Sequence, residues 1–216
     1  MVTLVMTGGG LSYFFSWLED EDYIIKSPVR RIHKVKTSKT IKETYTDENL
    51  ELMRDNCVEL RDLAMIDMLA STGMRVGEMV LLNRSNIDFN ERECVVVGKG
   101  DKERLVYFNA EAEVSLREYL DSRTDDCTGL FVSKRRPFHQ IGEHALENII
   151  KKVSKRTGVE AYPHKLRHTF ATAGIHSGIP LEKLQLLLGH SKPETTMIYA
   201  DQDRTDVQNA YSKAYA

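Results

Sequence analysis

Cysteine is nearly absent from this chain. Cys57, Cys94 and Cys127 lie far apart and form no CxxC pair, which excludes a disulfide framework and predicts reduced thiols in a cytoplasmic setting. One histidine pair has helical spacing, His164 and His168, but no acidic or cysteine ligand pattern accompanies it. No metal and no cofactor are therefore expected. Long apolar runs are missing too: none approaches the roughly 18–20 residues of a membrane helix. The opening MVTLVMTGGG lacks the basic and apolar regions of a secretory signal. There is no GxxxxGK[ST] phosphate loop, so chemistry driven by a nucleoside triphosphate is not expected. Nor is there an excess of positive charge: 30 basic against 32 acidic residues leave a net charge of −2.

What the chain does have is charge kept apart. Residues 26–45 carry Lys26, Arg30, Arg31, Lys34, Lys36, Lys39 and Lys42 against Glu43 alone, and residues 134–167 hold nine basic residues against three acidic ones. Residues 46–67 are acidic, with seven carboxylates against Arg54 and Arg61. Basic faces and an acidic back suit a protein that meets a polyanion on one side.

At 216 residues the length fits one large domain plus a fragment, given a usual domain size of roughly 100–150 residues. Leu11, Phe14, Phe15 and Leu18 have the spacing of one amphipathic helix over 11–20, and residues 26–45 read as a polar basic linker. A compact domain is expected from Thr46, where T-D-E-N supplies a cap and early acids for a helix. Further helices are predicted over 58–71, 76–82, 110–121, 143–157, 164–177, 181–188, 194–200 and 203–214. Short apolar runs at 87–89, 94–97 and 105–108 predict strands. The expected fold is α+β, mostly helical with a small three-stranded antiparallel sheet.

Four segments carry the chemistry. In S-T-G-M-R-V-G-E, Arg75 follows a glycine turn at the head of a helix, where backbone N–H groups favour an anion. The segment G-K-G-D-K-E-R is a hairpin tip bearing Lys99, Lys102 and Arg104. In P-H-K-L-R-H, His164 and Arg167 stand at i, i+3 and share one helix face, while Leu166 and Phe170 turn inward. In L-L-L-G-H-S-K-P-E-T-T-M-I-Y, Gly189 ends a helix, His190 occupies the turn, and Tyr199 follows nine residues later.

Each segment alone is weak; together and in this order they resemble the signature of the tyrosine recombinases of phage integrase type. The spacing from Arg75 to Lys99 is similar to that of the family's β-hairpin lysine. The similarity runs from about Thr46 to the C-terminus. It implies a site-specific DNA strand transferase that cleaves and rejoins duplex DNA by transesterification, for integration, excision or dimer resolution. Tyr199 would be the nucleophile and form a 3′-phosphotyrosyl link, with His164 as its base. Arg75 and Arg167 would hold the phosphate by their guanidinium forks, to which His190 would also donate. Lys99, with Lys102 as the alternative, would protonate the leaving 5′ oxygen. DNA contacts are expected from Arg75, Lys99, Lys102, Arg104, Lys165 and Arg167, and from Arg30, Arg31, Lys34 and Lys36 in the linker.

The resemblance also implies domains. Residues 1–45 would be the truncated end of a core-binding domain plus a basic linker, and 46–216 the catalytic domain. A tail around Tyr211 to Tyr215 is similar to the segment with which recombinases pack on a neighbouring subunit, so a homotetramer on DNA is expected. No membrane is expected as a partner, and the setting would be the cytoplasm of a bacterium, with a phage or mobile element as a further source. Two alternatives stand beside this: relaxation of supercoils in the manner of a type IB topoisomerase, or a non-catalytic DNA-binding remnant.

Overall fold

A computed structural model describes residues 10–29, 44–98, 101, 103–190 and 196. The chain divides into two units, Met1–Ile41 and Lys42–Ala216. In the first, helix α1 (Gly10–Asp20) carries Phe14, Phe15 and Trp17, with the Phe14 and Phe15 rings edge-on at 5.6 Å. The Glu19 carboxylate accepts from the Ser27 amide at 3.2 Å and closes the following turn.

The second unit begins as its sequence dictates. Thr46 caps α2 (Asp47–Asp55) by accepting from the Asn49 amide at 3.3 Å, and Asp47 and Glu48 meet the positive end of the helix. Helix α3 (Leu60–Thr72) is the central element, with Ala64 through Leu69 buried and α5 (Ala110–Asp121) and α7 (Pro163–His176) packed against it. It ends at Gly73, whose φ of +61° is left-handed. A methyl group at Gly73 would lie 2.3 Å from Phe170 Cδ1. The glycine is thus required twice, by backbone geometry and by the close approach of α7.

One turn of helix, α4 (Val76–Met79), leads into the sheet. Strands β1 (Ile87–Asp88), β2 (Glu93–Val97) and β3 (Glu103–Tyr107) pair antiparallel in that order, with Cys94 opposite Val106 and Val96 opposite Arg104. Cys94, Val96 and Val106 face the core while Leu105 and Tyr107 face out. After α5, capped by Asn109, residues 122–142 form neither helix nor named strand. Arg123 holds this stretch by donating to the carbonyls of Cys127, Gly129 and Leu130 and to the Asp125 carboxylate. Helix α6 (Glu143–Thr157), α7 and α8 (Leu181–Leu188) follow. A small apolar cluster of Ala171, Leu184 and Leu188, flanked by Phe170, Ile175 and Ile179, fastens α8 to α7.

The expected helices 110–121, 143–157 and 181–188 coincide with α5, α6 and α8. That over 76–82 is shorter than expected, because the chain tightens into turns after Met79. The expected segment 203–214 lies outside the described residues, as does 194–200 apart from Thr196. No helix among the described residues is long and apolar enough to cross a membrane.

Candidate active site

The C-terminal turn of α8 organises the site. A helix leaves its last carbonyls without intrahelical donors. Here Gly189, in the left-handed conformation, returns two of them to the backbone: Gly189 N donates to Leu186 O at 3.0 Å and His190 N to Gln185 O at 3.1 Å. The next three carbonyls each receive an arginine from a different element. Arg104 Nε of β3 donates to Leu187 O at 3.0 Å, Arg167 Nη2 of α7 to Leu188 O at 2.6 Å, and Arg75 Nη2 to Gly189 O at 3.3 Å. Cations at the negative end of a helix are favourable. The carbonyls also fix where the three guanidinium groups stand.

Arg167 is 5% exposed and reaches across to the end of α3, where Nη1 donates to Gly73 O at 2.6 Å. The glycine turn therefore serves both α7 packing and the placement of this cation. Arg75, 43% exposed at its side chain, is the open member of the group. It is steadied by Glu78, one helical turn on. The Glu78 carboxylate accepts from the Arg75 amide at 2.7 Å and from Arg75 Nη1 at 2.8 Å. The same carboxylate accepts a bidentate pair from Arg104, at 2.6 and 2.8 Å. Burial alone would push the Glu78 carboxyl up, but the bonds from Arg104 and Arg75 carry it below its ordinary range.

His190 sits among these cations. Arg167 Nη2 lies 2.9 Å from His190 Nε2, and His190 Nδ1 lies 2.8 Å from Thr196 Oγ1. A guanidinium has no acceptor, so Nε2 accepts and the proton belongs on Nδ1, donated to Thr196. In this tautomer Nε2 faces Arg167 and Nδ1 faces Thr196. Burial, followed by the charges of Arg167, Arg75, Arg104 and His164, holds its pKa down to about 4 from an ordinary 6.5. The unfolded chain binds this proton more readily, so the associated stability is complete above pH 6.5 and is lost as pH falls towards 4. A His190→Gln variant, which cannot titrate, is expected to show a flatter decline in urea midpoint between pH 7 and 5 than the parent.

His164 lies at the start of α7, facing Arg75 and Arg167 across a cleft of about 330 Å³ that Tyr162 and Glu147 also line. A second cleft shares Arg75 and Val76 and extends to Val97 and Gly98 at the base of the hairpin. Elsewhere, between α2, α3 and α5, a cleft of about 420 Å³ is walled by Asp47, Glu51, Asp67 and Glu111 around Arg54. Its charge is wrong for a phosphodiester. His168 is buried, 3.4 Å from Thr172 Oγ1 on its own helix.

The structure thus brings Arg75, Arg167, His164 and His190 together. Two residues expected at DNA have partners within the fold. Arg104, 12% exposed at its side chain, is turned inward by the strand pleat and bound to Glu78. The Lys165 ammonium lies 4.7 Å from the centre of the buried Tyr45 ring, because its place on α7 faces the segment preceding α2. Tyr199, Lys99, Lys102, Arg30, Arg31, Lys34 and Lys36 lie outside the described residues. Sequence reasoning missed Glu78 and the inward role of Arg104. The i, i+3 spacing of Arg75 and Glu78 was the available signal for the first.

Comparison with known proteins places this arrangement. Residues 29–205 match the phage integrase family. The tyrosine recombinase XerC of Corynebacterium glutamicum is 32% identical, the alignment covering 99% of this chain and 72% of that protein. XerC of Oceanobacillus iheyensis is 34% identical over 95% of this chain and 72% of its own length. The crystal structure of XerA recombinase superposes with a TM-score of 0.72 at 28% identity, covering 95% of this chain and 74% of that one. XerH recombinase, solved in a post-cleavage complex with its palindromic difH substrate, superposes with a TM-score of 0.75 at 22% identity, covering 95% and 65% of the two chains. The family match takes in Arg75, His164, Arg167 and His190 alike, and this chain belongs to the phage integrase family of tyrosine recombinases.

Proposed function

We propose that this recombinase cleaves and rejoins duplex DNA through Tyr199, with Arg75, Arg167, His164 and His190 around the scissile phosphate. The observation that carries the reading is the convergence of Arg75, Arg167 and His164 on one cleft, the two arginines fixed by backbone carbonyls and His190 hydrogen-bonded to Arg167 beside them. A phosphodiester resists attack because it is already anionic. Guanidinium groups held in place lower that barrier most where charge grows, on the non-bridging oxygens of the pentavalent transition state.

Tyr199 then forms a bond to phosphorus while the bond to the 5′ oxygen breaks. The phenolic proton passes to His164, and the leaving oxygen takes a proton from Lys99, with Lys102 as the alternative donor. The phosphoester bond is conserved in the covalent link, so a new 5′ hydroxyl reverses the step without an energy source. His190, 2.9 Å from Arg167, would donate to the same phosphate. XerH, solved on difH DNA with the same fold, supports duplex DNA as the substrate. Four copies assembled on DNA in the cytoplasm of a bacterium complete the proposal, with residues 1–45 as the end of a core-binding domain and its linker.

The test uses duplexes with a random central segment and sulfur in place of 5′-bridging oxygens. A thiol leaves readily and rejoins poorly, so adducts accumulate. A covalent protein–DNA species is expected, with peptide mapping placing the nucleotide on Tyr199. Adduct on another residue, or none from any duplex in the pool, would sink the assignment.

A further inference from the structure

We propose that Arg104 is a positioning residue for strand exchange, tying the hairpin, Glu78 with Arg75, and the turn that carries His190 into one rigid unit. The inference rests on the reading of Arg75 and His190 as parts of the site. Arg104 uses its guanidinium in three directions. Nη1 and Nη2 grip Glu78, and Nε holds Leu187 O. Its stem lies against Gly189, where a methyl group would sit 3.0 Å from Cδ and Nε. The glycine after α8 is therefore required both by its φ of +63° and by the bed it leaves for this arginine.

Three parts of the chain that are distant in sequence meet at this side chain: residues 75–78, the hairpin strand paired at Val96, and residues 187–190. Helix α4 is a single turn, β2 and β3 are five-residue strands, and Gly189 with His190 form the turn that ends α8. Positioning matters because small errors in the placement of reacting groups cost about 100-fold in rate. A lysine cannot replace the fork: an ammonium can pair with Glu78 but cannot also hold Leu187 O in the same plane. Arg104, unlike Arg167, lines neither cleft beside Arg75, and its charge is matched by the bidentate Glu78 carboxylate.

The experiment measures adduct formation by the full chain on the bridging-sulfur duplex recovered above, in single-turnover conditions at saturating DNA, for the parent, Arg104→Lys and Arg104→Gln. Arg104→Lys keeps a cation opposite buried Glu78 and is the variant that retains the fold. The expected result is a rate constant lower by about 10- to 100-fold in both variants, with Kd for the duplex and its salt dependence unchanged. A fold defect alone would lower the amplitude, which counts folded molecules, and leave the rate constant intact; that result overturns the proposal. So does a weaker Kd with a shallower salt slope and an unchanged rate, which marks a phosphate contact. Parent-like rates in Arg104→Lys also overturn it. If the parent itself forms no adduct, the reading of the site fails and this inference with it, whereas a reactive parent beside equally reactive variants refutes Arg104 alone.

Discussion

Arg167→Ala is expected to lower both stability and the rate of covalent adduct formation by more than any other single change among the described residues of the site. The stability loss follows from two buried acceptors. Gly73 O and Leu188 O each lose a donor at 2.6 Å. An unsatisfied buried carbonyl costs about 1–3 kcal/mol, so the pair accounts for about 2–6 kcal/mol. His190 Nε2 loses its donor as well. The adduct rate is expected to fall at least about 10²–10³-fold, the usual effect of removing one preorganised donor from a developing anion. Arg167→Lys should recover little of either, since a point charge cannot span Gly73 O and Leu188 O together. Urea unfolding with an unchanged m-value reads the first quantity, and single-turnover adduct formation the second. A midpoint shift worth less than about 1 kcal/mol, together with an adduct rate within a few-fold of the parent, would show that the carbonyl clamp has no such role.

Glu78→Ala is expected to be nearly as damaging, for the opposite electrostatic reason. Its carboxylate, 4% exposed, separates the guanidinium groups of Arg75 and Arg104. Without it two cations face one another in a poorly hydrated place, and removing one partner of a buried ion pair typically costs about 3–5 kcal/mol. The pH dependence carries a further signature. Glu78 titrates below its ordinary 4.5 in the folded chain, so the stability contributed by its charge is complete above about pH 4.5 and is lost as pH falls below it. The gap in urea midpoint between the parent and Glu78→Gln should therefore be widest near neutrality and should close in acid. A gap that is constant with pH would show that shape, not charge, is what Glu78 supplies.

The helices were legible because their signals are local. Thr46 and Asn109 cap, Pro163 opens α7, and Gly73, Gly158 and Gly189 close helices with left-handed φ. The order Arg75, His164, Arg167, His190 was legible because the resemblance supplied their company; no single one of them would have stood out. Residues 122–142 escaped notice because their order comes from Arg123 bonding to three carbonyls, an interaction with no periodic trace. The inward bonds of Arg104 were not legible for a related reason. Leu105 and Tyr107 look like core residues by composition, yet they point outward, and the strand alternation puts Arg104 on the inner face with Val106. The apolar run obscured the period of two that would have placed it. Glu78 offers only its i, i+3 spacing to Arg75; that a second arginine reaches its other side has no local trace.

The turn that follows α8 has a consequence for the timing of dehydration. Guanidinium groups in water carry a hydration shell that a phosphate must strip before it can bind closely, and such ordering of polar groups is a large share of what association costs. For Arg167, 5% exposed, the stripping happens when the chain folds: Gly73 and Leu188 offer carbonyl oxygens where water oxygens would otherwise stand. A carbonyl dipole satisfies the cation without cancelling its charge, as a carboxylate would for Arg167. On the proposed reading, an incoming phosphate meets Arg167 already dry, aimed and still fully positive.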